Sequence, residues 1–332
     1  MKTKRFISLF LVVCVLTCCL LTGCGSGNGD VIKIGIMQFG EFDALQKAYQ
    51  GFADGLASAG YKDGEKVKLH CLSAAADTAN CPTIADTLLN EGSDLILAIA
   101  TPSVTAMKQK TTTVPVLFTA VTDPVASGLI ADAACPGGNL TGTSDLNPVA
   151  EQIDLIQTLF PEVQSVAVLY CSSESNSAAQ YEAARAQLDK LGLGCVQKAV
   201  SSMDEVKFAV ESLAGQVQAI YIPTDNMLSD GISAVVAAAN SVGLPIIAGE
   251  PGMVNGGALA TYGIDYYELG VQTAKMAVRI LESDDPLAAT ASMPVEYQTK
   301  ECVVAVNTET AAALGVELPA DILETAELYP QG

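Results

Sequence analysis

From residue 31 onward one unit recurs: a short apolar run, a polar or glycine-containing turn, then a helical stretch. The first copy is Val31-Ile32-Lys33-Ile34-Gly35-Ile36, followed by a helix predicted from Ala44 to Ala59 and closed by Gly60. KVKLHCL, DLILAIA and VPVLFTAV are further strands, with helices around ADTLLN and after Pro102. Continuous β-branched runs alternating with helices predict parallel sheets covered on both faces. The pattern restarts after residue 148, where EQIDLIQTLF, SVAVLY, AQYEAARAQLDKL and LGCVQKAV are followed by VKFAVESL, VQAIYI, ISAVVAAAN and LPIIAG. Two consecutive doubly wound runs predict two similar α/β lobes. The tail breaks that order with a strand (GALATYGI), a long helix (YYELGVQTAKMAVRILE) and a last strand (ECVVAVN). A chain that crosses between its lobes several times needs such extras, and crossings make a hinge.

The N-terminus has a different logic. Lys2, Lys4 and Arg5 precede the apolar run FISLFLVVCVLTCCLL, so residues 1–23 are expected to be a secretory signal outside the fold. Leu21-Thr22-Gly23-Cys24 resembles the bacterial lipobox. That resemblance implies lipid attachment at Cys24 and a place on the extracytoplasmic face of the cell membrane. An uncleaved anchor is the alternative, since the run is about as long as a short membrane span. Residues 24–30 then form a Gly-rich flexible tether.

Composition closes off several functions. The 332 residues carry 37 acids against 17 bases, three of the bases being in the leader. Nucleic acid needs a basic footprint and is excluded as a partner. Ser-His-Asp catalysis needs a histidine, and the only one, His70, sits inside a predicted strand. Neither a GxSxG elbow nor a GxxxxGK[ST] loop is present. Asp123, Asp225 and Glu250 offer carboxylates for glycoside hydrolysis, but a chain without tryptophan lacks the usual sugar platforms. The stretch after Asp225 puts Met227 and Ser229 where a calcium loop wants acidic or amide oxygens. The chain is therefore read as a binder, not an enzyme, with no cofactor and no metal. The cysteine pairs worth checking for disulfides are Cys71 with Cys81 and Cys171 with Cys195; isolated buried thiols are the alternative.

Open α/β sheets bind ligands at the carboxyl ends of their strands. The residues there are Gln38, Phe39 and Glu41 after the first strand, Thr101 to Ser103, Thr119 to Asp123, Tyr170 to Asn176, Pro223 to Asn226, Gly249-Glu250 and Tyr262 to Asp265. This set is rich in hydroxyls, amides and carboxylates and lacks a basic cluster, which disfavours a phosphate ligand. A zwitterionic amino acid suits it. A helix starting at Thr101-Pro102-Ser103 offers free N–H groups to a carboxylate, and Asp225 and Glu250 offer charge to an ammonium group. Asp225 is either that ligand contact or the N-cap of the helix holding Val235 and Val236, with the ligand contact favoured. Asn176 is equally a cap or a ligand contact. Phe39, Phe42 and Tyr170 either frame an apolar ligand side chain or simply pack.

The stretches LILAIATPS, FTAVTDPVASGLI, CPGGNLTGTSDLNPVAEQIDLIQTLF, SNSAAQ, YIPTDNM and ATYGIDYYELG resemble the substrate-binding lipoproteins of ABC transporters, tryptophan/tyrosine type. The likeness runs over roughly residues 31–318, with TDP, GGNLTGTSD and PTDN in that order. It implies a type I periplasmic-binding fold: two Rossmann-like doubly wound lobes joined by three crossovers. On that pattern residues 31–145 with 251–291 form lobe 1, and residues 146–250 with 292–332 form lobe 2. It also implies an aromatic or other apolar amino acid as cargo, with a membrane permease and a cytoplasmic ATPase as partners. By position, Thr101 and Ser103 are implied carboxylate contacts, and Thr119 and Asp123 the cleft floor. Ser144 and Asp145 lie where the chain passes to lobe 2, and Asn176, Asp225 and Glu250 are lobe 2 contacts, with Asp225 the implied ammonium partner. Members of the family often carry His-Pro after the glutamate of the first loop; here Phe42-Asp43 follows Glu41, a departure at the pocket mouth. A sugar or nucleoside cargo is the alternative within this class, and a sensing module without transport the alternative outside it.

Overall fold

The computed structural model describes residues 31–298 and 301–330; the leader, Cys24 and the whole tether lie outside the described residues. Lobe 1 begins with β1 (Ile32–Gln38), α1 (Asp43–Ser58), β2 (Val67–Ser73) and α2 (Cys81–Asn90). It continues through β3 (Leu95–Ile99), α3 (Thr101–Lys110), β4 (Val116–Val121) and β5 (Leu140–Ser144). Lobe 2 then follows: α4 (Val149–Leu159), β6 (Ser165–Cys171), α5 (Ser175–Leu191), β7 (Gly194–Val200), α6 (Met203–Glu211) and β8 (Ala219–Ile222). After it come α7 (Asn226–Asp230), α8 (Ile232–Ser241), β9 (Ile246–Ala248), α9 (Pro251–Asn255) and β10 (Ala260–Gly263). The chain returns to lobe 1 with α10 (Tyr266–Leu281), α11 (Pro286–Ser292) and β11 (Glu296–Tyr297). It ends in lobe 2 with β12 (Val303–Asn307), α12 (Thr308–Leu314), α13 (Ala320–Thr325) and β13 (Glu327–Tyr329).

The first sheet runs β11-β5-β4-β3-β1-β2 and the second β13-β12-β10-β9-β8-β6-β7. Each has the doubly wound order in which the second strand flanks the first on one side and later strands extend the other. Every pairing in lobe 1 is parallel, and in lobe 2 only β10 with β12 is antiparallel. The apolar runs are buried as their composition predicts. All of Leu95–Ile99 and Val116–Val121 is buried, because helices cover both faces. In lobe 2 the alternation of strand side chains splits the core in two. Ala167, Leu169, Ile220 and Ile222 face one helical layer, and Val166, Val168, Ala219 and Tyr221 the other.

The chain passes between the sheets after β5, after β10 and after β11. The lobe boundaries differ here from the sequence expectation. Residues 251–263 belong with lobe 2, because β10 pairs with β9 and β12. Val295 and β11 belong with lobe 1, where β11 adds to β5.

Lobe 1 is sealed by α10 lying against α1. Their closeness needs glycine at Gly51 and Gly270. A Cβ at Gly51 would fall 2.0 Å from the Tyr267 carbonyl oxygen, and one at Gly270 would fall 2.1 Å from that of Ala48. In lobe 2 a buried polar network sets the strand ends. Tyr221 Oη donates to Gln152 Oε1 at 2.6 Å, and Gln152 Nε2 donates to the carbonyls of Gly249 and Tyr262. This fixes β8, β9 and β10 relative to one another just below the cleft.

The described cysteines are free thiols. Cys171 and Cys195 sit on paired strands, but Cys195 is in register with Val166, five residues from Cys171. At about 3.3 Å per residue that offset is far beyond disulfide reach. Cys71 and Cys81 face different acceptors, Gln38 Oε1 and the Asp77 carbonyl.

Candidate functional site

The carboxyl ends of β1, β3 and β4 face those of β6, β8 and β9 across a cleft, and two spaces open there. The outer cavity, about 530 Å³, is walled by Phe39, Ala76, Cys81, Thr101 and Ala106 of lobe 1 and by Cys171, Asn176 and Met227 of lobe 2. The inner one, about 20 Å³, is enclosed by Phe42, Ala120, Thr122, Asp145, Asn176, Thr224, Asp225, Glu250 and Tyr266. Asn176 lines both. Neither is lined by a lysine or an arginine.

Backbone strain concentrates on the lobe 1 wall. The described non-glycine residues with positive φ are Ala75, Ala76, Ala100 and Ala120, at +53° to +75°. They follow β2, follow β3 and interrupt the end of β4. Left-handed backbone at residues with a Cβ costs about 1–3 kcal/mol each and persists only where the surroundings impose it. Here it turns the chain sharply at the sheet edge: Ala100 opens into α3, and the register of β4 against β5 slips between Phe118 and Val121.

Lobe 2 contributes carboxylates, and most of them are engaged. Asp225 N-caps α7, the short helix before the one expected, its Oδ1 accepting the Leu228 N–H at 3.0 Å. Its Oδ2 accepts the Cys171 N–H at 2.6 Å. Burial pushes its carboxyl up, and the nearby Glu174 adds to the shift. Glu174 itself accepts the N–H groups of Asn226 and Met227, so two acids share one helix start. Glu250 caps α9 through the N–H groups of Gly252 and Met253, with the Ser229 hydroxyl at 3.4 Å. Burial pushes it up to about 7.

Asp145 differs. It is buried in the first passage between lobes, and its Oδ2 accepts the Tyr266 hydroxyl at 2.6 Å. Its Oδ1 has no hydrogen-bond partner among the described residues. The Thr122 hydroxyl lies 3.3 Å from Thr224 Oγ1 on the opposite lobe. Burial pushes the Asp145 carboxyl up, partly offset by the Tyr266 hydroxyl that donates to Oδ2 and by the nearby Thr122 hydroxyl, which makes no direct hydrogen bond to Oδ1. Asn176 Oδ1 is also buried and unpartnered, while its Nδ2 donates to the Thr224 carbonyl at 2.9 Å.

The other expected residues scatter. Phe39 and Thr101 line the outer cavity. Ser103 is buried beside it at the third position of α3, its Oγ unpartnered. Gln38 is spent on the loop, donating to the Gly40 carbonyl, and Glu41 is exposed; neither lines these two spaces. Thr119 points into the lobe 1 core, where Thr143 bonds to it at 3.0 Å and meets Thr273 at 2.7 Å. Asp123 holds a turn through the N–H groups of Val125 and Ala126, and Ser144 Oγ donates to the Thr122 carbonyl. His70 is half-exposed, paired with Glu91 on the outside of β2. Thr122, Glu174 and Thr224 lie within the strand-end segments, where no sequence signal distinguishes them from their neighbours, and Tyr266 lies one residue beyond.

Two lobes of matching strand order, three passages between them and a polar cleft at the strand ends define a two-lobed solute-binding protein of the type I periplasmic-binding fold. Residues 33–329 match the family of ABC transporter substrate binding proteins, and the chain belongs to that family, whose members bind substrates rather than transform them. It is 36% identical to a tyrosine-binding protein of Clostridioides difficile (strain R20291), with 95% of this chain and 94% of that one covered. A domain from Streptococcus pneumoniae solved in complex with L-Trp is 37% identical with a TM-score of 0.84, covering 90% of this chain and 99% of that one. A ligand-free, open substrate binding protein with adhesive properties from Clostridium difficile is 36% identical over the same shares, with a TM-score of 0.69.

Proposed function

We propose that this protein is the extracytoplasmic receptor of an ABC importer, lipid-anchored at Cys24, that closes on an aromatic or other apolar amino acid. It then hands the cargo to a membrane permease driven by a cytoplasmic ATPase. The observation that carries this reading is the polarity of the cleft. Its deep end holds Asp145, Asp225 and Glu250 without a lysine or arginine, which suits an ammonium group. Its wide end carries Phe39, Ala76, Ala106 and Met227, which suit an apolar side chain, with Asp77 and Glu174 also in its lining. The start of α3, with Thr101 at the wall, offers N–H groups and the positive end of a helix dipole to a carboxylate.

Two comparisons support it. Relatives at 36% and 37% identity bind tyrosine and L-Trp. At matched identity and coverage the chain superposes better on the L-Trp complex than on the ligand-free, open protein. The lobes accordingly touch, through Thr122 with Thr224 and Ser175 with Ser127. Transport then needs no bond-making: a ligand that contacts both lobes favours closure, and the closed form is what the permease reads.

A thermal-shift screen of amino acids, nucleosides and sugars tests the reading. A cargo at a hundredfold excess over its dissociation constant stabilises by about 2.7 kcal/mol. Stabilisation by tyrosine, tryptophan or another apolar amino acid is expected; stabilisation by a sugar or nucleoside alone would overturn the cargo assignment.

A further inference from the structure

Three carboxylates enclose the inner space, and they differ in what their oxygens already do. Each oxygen of Asp225 and of Glu250 accepts a backbone N–H. Asp145 alone keeps an oxygen that no donor bonds, in a residue that is 4% exposed; the Thr122 hydroxyl, the polar group nearby in the same space, lies 3.3 Å from Thr224 Oγ1. A buried carboxylate oxygen without a donor is costly, so the site is built for a donor that arrives from elsewhere. The inner space, about 20 Å³, admits one water-sized group, and an ammonium head is that size. Its titratable neighbours are Tyr266, Asp225 and Glu250, and it is lined by no protein cation.

We infer that Asp145 accepts the ammonium group of the ligand, and that Tyr266 is the positioning residue that turns its free oxygen into the pocket. The inference rests on the reading of the cleft as an amino acid site and moves the ammonium contact from Asp225 to Asp145. The placement has a mechanical meaning. Asp145 is the first residue of the passage after β5, and Tyr266 is the first residue of α10, just after the passage that follows β10. Their hydrogen bond, at 2.6 Å, ties one passage to the next. Asn147 Oδ1 repeats the tie by accepting the Ile264 N–H. An ammonium group held on Asp145 is therefore held on the hinge itself, between lobes, and binding and closure share one residue.

The test is titration calorimetry of the folded protein with L-tyrosine and L-tryptophan and with their des-amino counterparts, 3-(4-hydroxyphenyl)propionate and 3-indolepropionate. Asp145→Asn is expected to weaken amino acid binding about 30-fold or more, the range of a charge-assisted hydrogen bond, and des-amino binding by about threefold or less. Tyr266→Phe, which removes only a hydroxyl, shows the same amine selectivity at about five- to tenfold and carries the test if Asp145→Asn fails to fold. Equal losses for both ligand types, no loss, or an amine-selective loss in Asp225→Asn instead would overturn the inference. A wild-type protein that binds no amino acid overturns the proposed function and this inference together. One that binds amino acids with Asp145→Asn unimpaired overturns only the latter.

Discussion

Asp225 Oδ2 accepts the backbone N–H of Cys171 at 2.6 Å, joining the end of β8 to the end of β6 from inside the cleft wall. With Oδ1 capping α7, this side chain is a staple as much as a charge. Asp225→Ala strands two buried N–H groups. The unliganded protein should lose about 2–4 kcal/mol of stability, since each lost cap or buried partner costs about 1–2. Calorimetry should then show a melting temperature lower by about 5–10 °C. An unchanged melting point would mean that the carboxylate does not hold the strands.

The contact between α1 and α10 makes a second prediction. Gly270→Ala drives a Cβ to within 2.1 Å of the Ala48 carbonyl oxygen, and both helices must shift. Overpacking of this kind costs about 1–3 kcal/mol. Gly138→Ala, with nothing within 4 Å, serves as the control and should leave denaturant midpoints unchanged.

Stability should depend on pH through the buried acids. Glu250 is pushed up to about 7 in the folded state from an ordinary 4.5. The folded protein thus keeps a proton that the unfolded chain has released, and stability falls as pH rises across that interval. Its share is about 3 kcal/mol at most. The melting temperature of the unliganded protein should drop between pH 5 and pH 8, and Glu250→Gln should flatten the drop. A wild-type melting temperature that rises over this range would contradict the assignment.

Closure can also be blocked where α9 meets α1, beside Glu250. A Cβ on Gly252 of lobe 2 would lie 2.9 Å from Asp43 Cβ of lobe 1. Gly252→Leu is expected to wedge the lobes apart. Ligand-induced compaction in small-angle scattering should vanish, and affinity should fall about tenfold or more as the closed population shrinks.

The fold was legible because its signal is local. Leu95–Ile99 is apolar at every position, and the predicted helix from Ala44 to Ala59 is displaced by one residue at each end. The lobe boundaries were not, because β11 is two residues long and its sheet is chosen by pairing with β5. The strand-end segments located the cleft, but not which side chains enter it. The end of β4 illustrates why: a register slip after Phe118 and a left-handed Ala120 interrupt the strand there, so period two no longer says which hydroxyl enters the cleft. Thr119 turns to the core and Thr122 to the cleft. Sequence favours Asp225 as a ligand contact because nothing local shows its Cys171 partner, 54 residues away.

The helix that completes lobe 1 is made late. Asp54 of α1 and Tyr267 of α10 are bonded at 3.1 Å across 213 residues of chain, and all of the lobe 2 core up to β10 is synthesised in between. A fragment ending at residue 145 would leave the apolar face of α1, with Ala48 and Phe52, without its cover. Lobe 1 cannot be excised as a working half by cutting at the first passage. A product truncated anywhere before α10 is expected to leave that helix face exposed.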